Sequence, residues 1–111
     1  MEKFSITIQE AIQQLDKEPN QRFTVMMKQG SMQVEYFAPK NTDTQQPHSQ
    51  DELYIIASGN SHFVRNNETI NCKTGDVIFV PAGMEHRFVN FSNDFATWVI
   101  FYGPEGGKQS A

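Results

Sequence analysis

Gly75-Asp76-Val77-Ile78-Phe79-Val80-Pro81-Ala82-Gly83-Met84-Glu85-His86-Arg87-Phe88-Val89-Asn90 is the stretch that decides the reading of this chain. Its first part is a short apolar run bounded by turn residues, which predicts a strand over 76–80. Pro81 and Gly83 then set a tight turn. A second strand follows over 86–90. Side chains alternate between the two faces of a strand. With His86 turned inward, Phe88 and Asn90 share its face, and Arg87 points away, as does Glu85 before it.

Working outward, the same period of two recurs along the chain. Phe23, Val25 and Met27 alternate with Thr24, Met26 and Lys28, and Met32, Val34 and Tyr36 alternate with Gln33, Glu35 and Phe37. Gly30-Ser31 between them completes a hairpin. Further strands are predicted near 52–57, 61–65, 68–72 and 95–102, separated by Gly59-Asn60, Asn66-Asn67, Thr74-Gly75, Ala82-Gly83 and Ser92-Asn93. Trp98-Val99-Ile100-Phe101-Tyr102 alternates poorly, as a strand buried on both faces does. Many short strands with frequent turns indicate an all-β sandwich or barrel. One helix is expected near the start. Thr7 and Glu10 have the spacing of a capping box, Ile8, Ala11, Ile12 and Leu15 follow helical spacing, and Pro19-Asn20 closes the segment. The expected organisation is an N-terminal extension with this helix over 1–20 and one barrel domain over 21–111.

A polar stretch, Gln46-Pro47-His48-Ser49-Gln50-Asp51-Glu52, runs directly into Leu53-Tyr54-Ile55-Ile56. On an extended strand Gln46, His48 and Glu52 share one face, so an amide, an imidazole and a carboxylate would stand at the mouth of an apolar strand, where a ligand cavity needs them. An unpaired carboxylate there is costly, and a divalent cation would pair it. Two His and one carboxylate form a donor set used by non-haem iron and, with variations, by zinc. Asp51 falls on the opposite parity and is expected at the surface. Tyr54, Ile56 and Phe88 share the parity of the proposed ligands and are expected to line the cavity. His62 reads as a partly exposed strand residue, and Trp98, Phe101 and Tyr102 as core, dimer interface or pocket.

These residues resemble the cupin superfamily. Gly75, Pro81, Gly83, His86 and Asn90 occupy every fixed position of the second cupin motif; at average residue usage, roughly 3 in 10⁵ chains of this length would do so by chance. His48, Glu52 and Gly59 match the end of the first motif, and fifteen residues, 60–74, separate the two. The sequence departs from the first motif at Lys40, where Gly is usual, and at Gln46, where a further His is usual. The resemblance covers about residues 32–103. It implies a double-stranded β-helix, or jelly-roll, barrel, often a homodimer. It also implies a divalent metal (Fe, Zn, Mn or Ni) held by His48, Glu52 and His86, with Gln46 as a fourth donor through its amide oxygen.

Composition narrows the partners. The chain has 111 residues, 38% hydrophobic, with nine Phe, enough for a core without a structural metal. The formal net charge is −4, and the basic residues form no stripe, so nucleic acid is excluded as an expected partner. No run approaches the ~20 apolar residues of a membrane span. The first ten residues lack the apolar core of a signal peptide, so the expected compartment is the cytoplasm. The single cysteine, Cys72, reads as a half-buried strand residue rather than a nucleophile.

Three functions stay open. One is a metalloenzyme of dioxygenase, isomerase or lyase type acting on a small anionic or chelating metabolite. Another is a non-catalytic module that binds or senses a small molecule. The third is a metal-free structural barrel. A second functional group facing the cluster, from Glu35, Tyr36 or Tyr102, would favour catalysis.

Overall fold

The structure is a computed structural model and describes residues 4–107; the outermost residues of the two expected segments lie outside that range. One helix, α1 (Ile8–Asp16), precedes eight strands: β1 (Phe23–Gln29), β2 (Met32–Phe37), β3 (Asp51–Ser58), β4 (Asn60–Arg65), β5 (Glu68–Lys73), β6 (Val77–Val80), β7 (His86–Val89) and β8 (Ala96–Tyr102). The strands form a five-stranded sheet of order β1-β2-β8-β3-β6 and a three-stranded sheet of order β5-β4-β7. Every pairing is antiparallel. The sheets pack face to face without closing edge to edge, as a jelly roll does.

The core lies between them. Tyr54, Ile56, Ile78, Val80, Val99 and Phe101 from the larger sheet meet Phe63, Cys72 and Phe88 from the smaller one. Phe88 is 1% exposed and stacks within 4.9 Å of Phe63, Tyr54 and Phe95, ring centre to ring centre. Burying such a side chain contributes about 1.5–3 kcal/mol. β8 lies at the centre of the larger sheet, with Val99 and Phe101 in the core and Trp98 packed on the opposite face against the cluster of α1 and Tyr36, so its imperfect alternation reflects neighbours on both faces.

The helix forms as its capping box predicts. Thr7 Oγ1 accepts from the Glu10 amide at 3.1 Å, and the Thr7 amide donates to Glu10 Oε1 at 2.9 Å. Its stripe is only half used. Ala11 and Leu15 are buried with Met26, Tyr36 and Ala96, whereas Ile8 and Ile12 stay exposed. By covering Tyr36, α1 occupies one face of β2. The other face, with Gln33, Glu35 and Phe37, turns towards the barrel interior. The more polar set of the β2 alternation is therefore the inward one. On β1 the alternation also reverses: Thr24 and Met26 are buried, while Phe23 and Val25 are exposed ahead of a bulge between Val25 and Met27.

The two motifs meet through backbone contacts. β3 pairs β6 with Glu52 opposite Val80. Just beyond, the Gly83 amide donates to the His48 carbonyl at 2.8 Å and the Ala82 amide to Asp51 Oδ1 at 2.9 Å. Asp51 is thus not the surface group its parity suggested: it is 9% exposed and clamps the turn that leads into His86. Gly59 explains itself sterically. Its φ is +73°, and a Cβ there would lie 2.8 Å from the Phe95 Cα.

Candidate metal centre

His86 opens β7 and Glu52 is the second residue of β3, so both rise from strands into the barrel mouth. His48 comes from the loop before β3. It reaches the site because the loop is tied down through Gly83, and strand parity plays no part. One donor atom from each of the three lies within 4.8 Å of the others. Glu52 is 1% and His86 6% exposed, while His48 is half-buried at the edge. The His48 and His86 ring centres are 5.8 Å apart, and the Phe101 ring packs edge-on against His48 at 4.7 Å.

Hydrogen bonding around the cluster is incomplete in an informative way. His86 Nδ1 lies 2.8 Å from the Met84 carbonyl, which fixes Nδ1 as the protonated nitrogen. Nε2 is then the nitrogen turned to the cluster, 2.9 Å from Glu52 Oε1. That contact is an ion pair when the imidazole carries both protons; otherwise Nε2, and independently Glu52 Oε2, are buried polar atoms with no hydrogen-bond partner. Two electron-rich atoms held together in a dry pocket repel unless a proton or a metal ion lies between them. The donor set, the tautomer fixed by Met84 and the orphaned atoms fit a divalent cation.

Burial, reinforced by His86 nearby, lowers the His48 pKa against the opposing pull of Glu52 and Asp43. The neutral imidazole is the form that ligates. Burial also opposes charge on His86, but Glu52 and the Met84 carbonyl outweigh it and hold its pKa above the ordinary value.

Around the cluster the structure departs from the sequence expectations at several residues. Gln46 is exposed, and the amide beside the cluster belongs to Gln45. Gln45 Oε1 accepts from the Tyr54 hydroxyl at 2.9 Å and lies 3.5 Å from His48 Nε2. Gln45 Nε2 donates to Asp43 Oδ2 at 2.8 Å, and the same oxygen accepts from the Phe88 amide of β7 at 2.8 Å. Asp43 therefore pins the loop across the barrel mouth. Residues 46–48 are not a pleated strand, so an alternation counted through Pro47 selects the wrong glutamine. Asn90 is exposed with φ +53°, ends β7 in a left-handed turn and does not face inward with His86. Among the expected cavity residues, Tyr54 packs beside His86 at 5.9 Å, but Ile56 and Phe88 lie in the core, and none of the three lines the open cavity.

That cavity, of about 440 Å³, opens beside the cluster. Its walls include Arg22, Gln33, Glu35, Asp43, Gln45, His48 and Phe101. Glu35 is the carboxylate that the sequence left undecided, and it faces this space. Tyr36 turns the other way, against Trp98. His62 is an exposed strand residue as expected. Cys72 is buried, donates to the Ser61 carbonyl and has its thiol pKa pushed up to about 11 by burial, with Asp76 adding to the effect. It is poorly placed as a nucleophile.

Residues 33–102 match the family model described as Cupin domain. An uncharacterised protein of Streptomyces coelicolor is 42% identical over 64 residues, which make up 58% of this chain and 61% of that protein. An acireductone dioxygenase of Drosophila pseudoobscura is 39% identical over 61 residues, half of this chain and 33% of the enzyme. The matched part of the chain thus spans at most 61% of the length of these relatives. In structure it is similar to a Cupin 2 conserved barrel domain protein from Salinispora arenicola, with a TM-score of 0.63 and 21% identity, covering 76% of each chain. The chain belongs to the cupin family.

Proposed function

We propose that this cupin binds one divalent metal ion through His48, Glu52 and His86. We propose further that it acts as a metalloenzyme of dioxygenase, isomerase or lyase type on a small chelating or anionic metabolite. The observation that carries the reading is that Glu52 Oε2 and His86 Nε2 are buried without a hydrogen-bond partner, while the other ring nitrogen of His86 is held by the Met84 carbonyl. A bound metal would act there as a Lewis acid towards a chelating ligand, or as an oxygen-binding centre if it is iron. The chain's own residues supply the rest. His48 and Phe101 form the border between cluster and cavity. Tyr54 holds the Gln45 oxygen beside the site, which makes Gln45 rather than Gln46 the amide within reach of a metal. Glu35 on the cavity wall favours catalysis over simple binding, because it adds a proton-accepting group to the ligand set. The partial likeness to an acireductone dioxygenase agrees with the dioxygenase alternative.

A homodimer belongs to the same proposal. β1 and β6 are the outer strands of the larger sheet and expose Phe23, Val25, Val77 and Phe79, surfaces that a second copy would cover. We propose the cytoplasm as its compartment.

Elemental mass spectrometry on untagged protein tests the metal. About one metal per chain, lost in a His48→Ala/His86→Ala variant, is the expected result. Wild-type protein that takes up no metal even after reconstitution would leave a barrel that binds its ligand by polar and apolar contacts alone.

A further inference from the structure

Glu35 is a carboxylate in a position that works against folding. In register it stands opposite Val25 of β1 and Val99 of β8, and with Gln33 and Phe37 it lines the cavity beside His48. Among the described residues its side chain accepts one hydrogen bond, from Gln33 Nε2 at 2.7 Å, and no cation pairs with it. Arg22 shares the wall, but its Nε donates to the Ala38 carbonyl at 3.0 Å. Burial raises the Glu35 pKa against the Gln33 hydrogen bond, with the charge of Glu52 adding to the rise. A desolvated carboxylate, aimed by a neighbour and lacking a counter-ion, marks a place where a ligand supplies the missing partner.

The sheet sets its distance from the cluster. Glu35 lies opposite Val99 and Glu52 opposite Phe101, on the two flanks of β8. At strand spacing and rise per residue, the two backbones are roughly 12 Å apart. A small metabolite held at the cluster spans that gap once both side chains reach inward. The chemistry of the wall narrows what its far end carries. A carboxylate would meet the charges of Glu35 and Asp43 on the same wall, and an ammonium group would pair with Glu35 but offer no acceptor to the remaining Gln33 N–H. A hydroxyl both donates and accepts, so it can serve Glu35 and the Gln33 amide beside it.

We propose that Glu35, oriented by Gln33, is a specificity-determining residue that reads a hydroxyl group at the far end of a ligand whose near end chelates at the His48–Glu52–His86 cluster. The ligand class is a small α-hydroxy-carbonyl compound with a further hydroxyl. This rests on the metal-binding reading above.

Kojic acid and allomaltol test it on the cobalt(II)-loaded protein. They present the same hydroxy-ketone chelate, and kojic acid carries a hydroxymethyl group where allomaltol has methyl. Affinity is read from the cobalt visible spectrum. Wild-type protein binds kojic acid about tenfold more tightly, the worth of one charge-assisted hydrogen bond. Glu35→Ala keeps its cobalt and its allomaltol affinity but binds the two pyranones within about twofold of each other. Glu35→Gln retains part of the preference, through a neutral hydrogen bond. Equal affinities in wild-type protein, or a preference that survives in Glu35→Ala, overturn the role of Glu35 and leave the metal site standing. Failure of both pyranones to perturb the cobalt spectrum of wild-type protein removes the chelating site, and this proposal with it.

Discussion

At the end of the barrel away from the cavity, the buried polar side chains among the described residues are engaged. Ser61 Oγ donates to the Val89 carbonyl at 3.1 Å, Thr97 Oγ1 to the Ile55 carbonyl at 3.1 Å and Cys72 Sγ to the Ser61 carbonyl at 3.5 Å. At the mouth, Glu52 and His86 are as deeply buried, yet one donor atom of each has no hydrogen-bond partner. The same two sheets make both regions, so the difference lies in what each region is for. Satisfied groups at the far end add to stability. Unsatisfied groups at the mouth subtract from it and are explained by something that binds there.

The largest effect should come from exchanging the character of the two ends. In metal-free protein, Glu52→Leu/His86→Leu fills the mouth with apolar side chains and should be neutral to stabilising, by up to about 4 kcal/mol, in urea denaturation. Thr97→Val at the far end should lower stability by about 1 kcal/mol. Destabilisation of several kcal/mol by the leucine pair would mean that the mouth is built for folding, and the contrast would fail.

A smaller effect sharpens the comparison within the mouth. The folded-state pKa of Glu35 is raised above its ordinary value of 4.5, so its ionised form weakens the native state and its protonated form does not. Glu35→Gln should therefore raise the melting temperature of metal-free protein at neutral pH. The advantage should shrink as pH falls and vanish below the ordinary carboxylate value. An advantage independent of pH would show that the amide acts through packing and not through charge.

The strands were legible because period two and Gly/Asn turns act locally. The expected strand at 52–57 is Asp51–Ser58, that at 76–80 is Val77–Val80 and that at 86–90 is His86–Val89. The capping box of α1 is likewise a local signal. His48, Glu52 and His86 were found as candidates through residue type and spacing, and the fold brings them together. What parity could not give is irregular backbone. The loop over 42–50 has no pleat, so parity points to Gln46 where the fold uses Gln45 and Asp43, and it turns Asp51 to the surface where the fold buries it. Asn90 follows the same rule, because its left-handed φ ends the alternation one residue early. Glu35 was undecided for a different reason. Both faces of β2 are covered, one by α1 and one by the barrel, and the pattern alone does not say which face meets the cavity.

The most direct measurement is anomalous diffraction from crystals of metal-reconstituted protein, recorded at the absorption edge of the added ion. The account predicts one strong peak within bonding distance of His48, Glu52 Oε2 and His86 Nε2. A map with no peak there, and with Glu52 Oε2 instead hydrogen-bonded to water or protein, would contradict it.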